Sequence, residues 1–178
     1  MSLSNLLSVL SAPSRPSEVP LNPDWRTVET EIGTDLPDDY KEFIERFGTG
    51  VIDGFICILN PFSRNPHLKL QTKIPIYLDA LRQLSATEVI PFPLFPDPGG
   101  ILPFGGTDNG DCLFWRRSGE RGNWPIVLNE SRGPDWEVFN LSMTDFIAAI
   151  LKRERTCGIF PRQFPTSNPS FGVTNSTL

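Results

Sequence analysis

Proline sets the first limit on this chain. Eighteen of its 178 residues are proline, and each removes a backbone donor and resists the interior of helices and central strands. Fourteen glycines add further breaks, so the sequence is cut into short segments, which excludes a bundle of a few long helices. The stretch VIPFPLFPDPGG, with four prolines, cannot be a central strand over its whole length. It reads as an edge or loop that still delivers Phe92, Leu94 and Phe95 to a core. SAPSRPSEVPLNP, with Pro13, Pro16, Pro20 and Pro23, reads as an extended connector.

Between these breaks the apolar spacing picks out helices. Leu3, Leu6, Leu7 and Leu10 allow a turn or two at the N-terminus. Asn22-Pro23 is a helix start, with Trp25, Val28 and Ile32 on one face and Gly33 as the left-handed stop. Pro37 opens a second helix, with Asp38 and Asp39 in the dipole-favoured first turn. Its stripe Tyr40, Phe43, Ile44 and Phe47 follows the helical repeat and faces a core, and Gly48 ends it. A third helix is predicted near residues 76–84, opened by Pro75 and burying Tyr77, Leu81 and Leu84. A last one begins at Ser142, with Asp145 completing a capping pair and Met143, Phe146, Ile147, Ile150 and Leu151 inward.

The strands are shorter. Phe55–Leu59 is bounded by Gly54 and Asn60-Pro61. Ile101–Phe104 and Cys112–Arg116 flank Thr107–Asp111, where Asn109-Gly110 signals a hairpin. In the return strand, Leu113 and Trp115 share one face and Phe114 takes the other. Residues 125–128 and 136–139 give two more strands around a turn at 131–134. Hairpins rather than repeated strand–helix alternation argue an α+β fold: a largely antiparallel or mixed sheet with helices packed on one side.

Charge is distributed unevenly. Residues 1–60 hold four Lys/Arg and ten Asp/Glu, a balance of −6, whereas residues 61–178 hold twelve and eleven. No basic footprint for nucleic acid exists. No apolar run approaches the roughly 18 residues of a membrane span. The N-terminal apolar stretch has no preceding positive charge and Arg15 follows it, the reverse of a secretory signal, so a cytoplasmic protein is expected. Cys57, Cys112 and Cys157 lack pairing rhythm and a CxxC motif, and read as buried thiols of a reducing compartment.

No chemistry stands out. His67 is the single histidine, without a nucleophile context, and reads as a surface residue. Gly99-Gly100 and Gly105-Gly106 fit turns rather than a phosphate cradle. Asp108-Asn109-Gly110-Asp111 lacks the alternating ligands and closing Glu of a calcium loop, and is read as a turn. Asp38/Asp39 and Glu42/Glu45 read as the solvated face of a helix. No catalytic residue, metal site or cofactor is expected. Trp25, Trp115 and Trp136 are read as core, and Trp124 in GERGNWP as exposed.

The ordered segments WRTVETEIGTDLPDDYKEFIERFGTG, GFICILNPF, FPDPGGILPFGGTDNGDCLFWRR and WPIVLNESRGPDWEVFNLSMTDFIAAIL together resemble the SMI1/KNR4 family of the SUKH superfamily, across about residues 22–152. The features carrying it are Trp25 with Glu29, Leu36-Pro37 and Tyr40, Phe47-Gly48, Asn60-Pro61, Gly99-Gly100, Thr107–Asp111 leading to Trp115, and Trp136 followed by Phe146. The resemblance implies an α+β module that works by binding and is not an enzyme. Bacterial members look like immunity proteins of polymorphic toxin systems; fungal relatives are linked to cell-wall synthesis and signalling. It fixes neither a toxin nor catalytic residues.

This gives three segments: a short helix and connector over 1–21, the SMI1/KNR4-like domain over 22–157, and a polar, poorly ordered tail over 158–178. The expected partner is a protein, a cognate toxin domain, with neither nucleic acid nor membrane. Two surfaces are candidates for it. One is the acidic set Glu29, Glu31, Asp38, Asp39, Glu42 and Glu45, suited to a basic toxin such as a nuclease domain. The other is the turn bearing Asp108 and Asp111, together with Arg116, Arg117 and Trp124.

Overall fold

The computed structural model describes residues 3–120 and 124–174. The helices are α1 (Leu3–Leu7), α2 (Trp25–Ile32), α3 (Asp38–Phe47), α4 (Leu70–Leu84) and α5 (Met143–Leu151). The strands are β1 (Gly50–Ile52), β2 (Ile56–Ile58), β3 (Ile101–Thr107), β4 (Cys112–Arg116), β5 (Ile126–Asn129), β6 (Trp136–Phe139) and β7 (Phe171–Val173). They form one sheet in the order β6-β5-β4-β3-β2-β1-β7, and every neighbouring pair is antiparallel. The α+β architecture expected from the hairpin signals is the one observed.

Local chemistry sets the helix ends. Asp24 caps α2 by accepting from the Thr27 N–H, and Gly33 closes it at φ 86°, in the left-handed region. Ser142 caps α5 from its side chain. Tyr40, Phe43, Ile44 and Phe47 of α3 are fully buried, as their spacing requires. The alternation in β4 also holds: Leu113 and Trp115 enter the main core, while Phe114 joins a smaller cluster with Leu81, Ile101 and Val127 on the opposite face.

The main core is aromatic at its centre. Trp115 stacks on Phe104 at 4.6 Å between centroids and meets the Tyr40 ring edge-on at 4.9 Å. The buried Tyr40 hydroxyl donates to the Leu59 carbonyl at 2.6 Å, so its polar tip is satisfied. Leu6 of α1 and Leu10 are fully buried in the same core, and α1 lies against α5 and α3.

Three expectations are corrected. Helix α4 begins at Leu70 and carries Pro75 inside it. Burial of Leu70 and Ile74, four residues apart on the inward side, holds a turn ahead of the proline, and Pro75 itself is exposed. Gly105 and Gly106 lie within β3 rather than in a turn. A Cβ on Gly105 would stand 2.7 Å from the Cys57 carbonyl oxygen, so the absent side chain lets β2 approach.

The connector before α2 is pinned. Ser17 bridges Gly48, and Glu18, at φ 57°, joins Thr49 and Asn60. Finally, the stretch after residue 158 packs where it is described. Phe160 and Phe164 meet Phe55, and β7 pairs with β1. Three phenylalanines outweigh the polar composition of this segment; residues 175–178 lie outside the described residues.

Candidate functional site

The acidic segment is split by the helical repeat. On α3 the apolar stripe points inward, so Asp38, Glu42 and Glu45, at i, i+4 and i+7, line up on the exposed side. Glu31 of α2 is also exposed and accepts from the Gln71 amide at 3.1 Å. Glu45 accepts from the Trp25 indole N–H at 2.6 Å, which ties the first turn of α2 to the end of α3. Arg46 is the exposed cation beside this row.

The other two acidic candidates face into the structure. Glu29 is only 17% exposed and takes the Lys41 ammonium at 2.6 Å and the Leu36 N–H at 2.7 Å. It therefore clamps the α2–α3 turn. Asp39 is 9% exposed, and its Oδ2 accepts from both the N–H and the hydroxyl of Thr144. Burial pushes the Asp39 carboxyl above its ordinary range, and the hydrogen bonds from Thr144 oppose that shift. Reading Asp39 as part of a solvated face is corrected, because the start of α5 packs over it.

The second candidate surface is also divided. Asp111 is buried: it accepts from the Thr107 hydroxyl at 2.7 Å and the Ser131 N–H at 3.0 Å, joining two hairpin turns. Asp108 and Arg116 are exposed, and the Arg116 guanidinium lies 5.6 Å from the Phe92 ring centre. Trp124, expected at the surface, is only 7% exposed and packs edge-on against Trp115 at 6.4 Å. Arg117 covers it, with its guanidinium 4.8 Å from Phe95 and 5.9 Å from Trp124. The loop composition of GERGNWP hid an indole that the core takes up.

The remaining reactive groups are subdued. Burial pushes the Cys57 thiol up to about 11 and those of Cys112 and Cys157 up to about 12, which keeps them protonated and unreactive at neutral pH. His67 is exposed. Among the described residues no group of His, Cys, Asp and Glu has the arrangement of a metal site. No helix among them is long and apolar enough to cross a membrane. What the surface offers is an ordered row of charge on α3.

A family model described as SMI1-KNR4 cell-wall, of the SUKH group, matches residues 22–147, well over half of the chain. That span runs from the residues before α2 into the middle of α5 and includes both candidate surfaces. A search of curated proteins gives no match.

Proposed function

Because the chain belongs to the SMI1-KNR4 (SUKH_6) family, we propose that it is a non-catalytic binding module, an immunity protein that neutralises a toxin domain by direct contact. The observation that carries this reading is the exposed row Asp38, Glu42 and Glu45 on α3. Its rigidity supports the reading, since α3 is anchored by four buried apolar side chains and by the Asp39–Thr144 contact. A preformed acidic row suits a basic partner such as a nuclease domain. It would steer that partner by charge and occupy a groove made for phosphate.

The name of the family also refers to the cell wall, which favours a second reading: a regulatory scaffold with several weaker partners. Affinity capture of the tagged chain at low and high salt separates the two. Immunity predicts one stoichiometric partner that is toxic when expressed alone and harmless beside this chain. It also predicts that Glu42→Lys slows association and reduces its salt dependence. Several weak partners, or a toxin bound equally well by the Glu42→Lys chain, would sink the acidic-row mechanism.

A further inference from the structure

Strand β6 ends the strand order, so its outer side is an open margin of the sheet. The Glu130 N–H donates to the Asp135 carbonyl at 3.0 Å, and the β5–β6 register carries that alternation forward. Glu137 and Phe139 therefore turn their backbone groups toward β5, while Trp136 and Val138 turn theirs outward. Among the described residues no other backbone group bonds them there. Val138 is 45% exposed, and neither lysine nor proline stands within β6 to blunt the edge.

A groove runs beside this margin. A cavity of about 490 Å³ separates residues 138–141 from residues 154–156. Through Arg155 and Thr156 it adjoins a second cavity, of about 480 Å³, beyond the end of α5. The second cavity has Arg153, Arg155 and Arg162 over an apolar floor of Ile150, Phe160 and Phe164, and no carboxylate among its lining residues. Arg153 donates to the Pro165 carbonyl at 2.6 Å, whereas Arg155 and Arg162 form no ion pair among the described residues.

We propose that β6 and this arginine cavity together dock an extended acidic segment of a partner protein. The segment adds to the sheet as an outer strand, taking the N–H and C=O groups of Trp136 and Val138. Its carboxylates enter the cavity and pair with Arg155 and Arg162, where the apolar floor strengthens the charge-assisted bonds. This surface carries the opposite charge preference from the α3 row and stands without the toxin reading.

The probe is a short fluorescent peptide of alternating Thr and Val ending in Glu-Glu, with a Lys-Lys version as control, titrated into the full chain and read by anisotropy. The Glu-ended peptide binds and the Lys-ended one binds at least about tenfold more weakly. Changing Arg155 and Arg162 together to Ala weakens the Glu-ended peptide by about tenfold or more. Val138→Pro, which removes an outward N–H and leaves the pairing to β5 intact, weakens it likewise while the circular dichroism stays unchanged. Glu42→Lys leaves it unaltered, so this proposal and the acidic-row reading fail separately. Failure of the Glu-ended peptide to bind, equal binding of both peptides, or full retention of binding by the arginine double variant overturns the proposal.

Discussion

The Thr144 backbone N–H donates to Asp39 Oδ2 at 2.9 Å, and the Thr144 hydroxyl reaches the same oxygen at 3.2 Å. The two residues are 105 positions apart in sequence. One carboxylate in the first turn of α3 thus satisfies a free donor in the first turn of α5, where the helix dipole favours negative charge. The contact fixes the angle between two helices whose apolar faces share one core. It also means that a residue of the acidic segment serves the interior while its neighbours on the same helix face solvent.

Asp39→Ala removes both hydrogen bonds and leaves the Thr144 donors buried without partners. The expected loss is about 1–3 kcal/mol, read as a lower denaturant midpoint with an unchanged slope. Asp39→Asn retains an acceptor oxygen and loses less. A loss in the alanine variant no larger than in the asparagine variant would refute this role.

Burial raises the Asp39 carboxyl above its ordinary value of 3.8, against the opposing hydrogen bonds. The folded chain therefore holds this proton more tightly than the unfolded chain. The associated stability is fully present below the ordinary carboxylate value and is lost as pH rises through the raised folded value. Because Asp39→Asn cannot ionise, its stability relative to the natural chain should grow across that window and level off above it. Denaturant midpoints of both proteins between about pH 4 and pH 7 test this; a difference that is constant or shrinks with pH refutes it.

Glu29 and Lys41 form the tightest ion pair on the α2–α3 face, both only 17% exposed. The same Glu29 oxygen also accepts the Leu36 N–H, so the pair is held in place by the turn it closes. A double-mutant cycle with Glu29→Ala and Lys41→Ala should give a coupling of about 1 kcal/mol, above the value of a freely exposed pair. A coupling indistinguishable from zero would make Lys41 a bystander.

Helices α2, α3 and α5 were legible because their apolar residues recur at the helical period and their ends carry Gly33, Pro37, Gly48 and Ser142. The β3–β4 hairpin was legible through Asn109-Gly110. Less legible were elements whose cause lies far away in sequence. Strand β7 is three residues long and exists because β1 offers it an edge and Phe43 and Phe47 offer Phe171 a socket. Trp124 and Asp111 look like loop residues until the neighbouring hairpins close over them. The acidic row could be read from spacing on α3. The arginine cavity could not, although KRERTCGIFPR carries its cations, because nothing in that run says that Phe160 and Phe164 fold beneath them.

Gly105 should not tolerate a side chain. An alanine Cβ there would meet the Cys57 carbonyl oxygen at 2.7 Å, and that atom belongs to backbone paired across β2 and β3. Relief requires the two strands to separate, at a cost of about 2 kcal/mol or more. Gly106→Ala, whose Cβ would meet the Asp111 carbonyl oxygen at 3.1 Å, should cost less. Thermal unfolding of the two variants gives the ranking, and the reverse order would place the tight approach elsewhere.

Phe171 ties the far end of the chain to the first third of the domain. Its ring meets Phe47 at 5.1 Å and Phe43 at 6.2 Å, and its strand pairs with β1. Asp53, at φ 49°, adds a second anchor by accepting from both the N–H and the hydroxyl of Thr166. Phe171→Ala should therefore cost about 2 kcal/mol, below the range for a fully buried phenylalanine because this ring is partly exposed. Truncation after Pro169 removes both the ring and the β1 pairing and should cost more. Hydrogen exchange would then show Gly50–Ile52 losing protection while the β3–β4 hairpin keeps its own. Unchanged protection in β1 after truncation would mean that the strand holds through β2 alone and that β7 is only an accessory to the sheet.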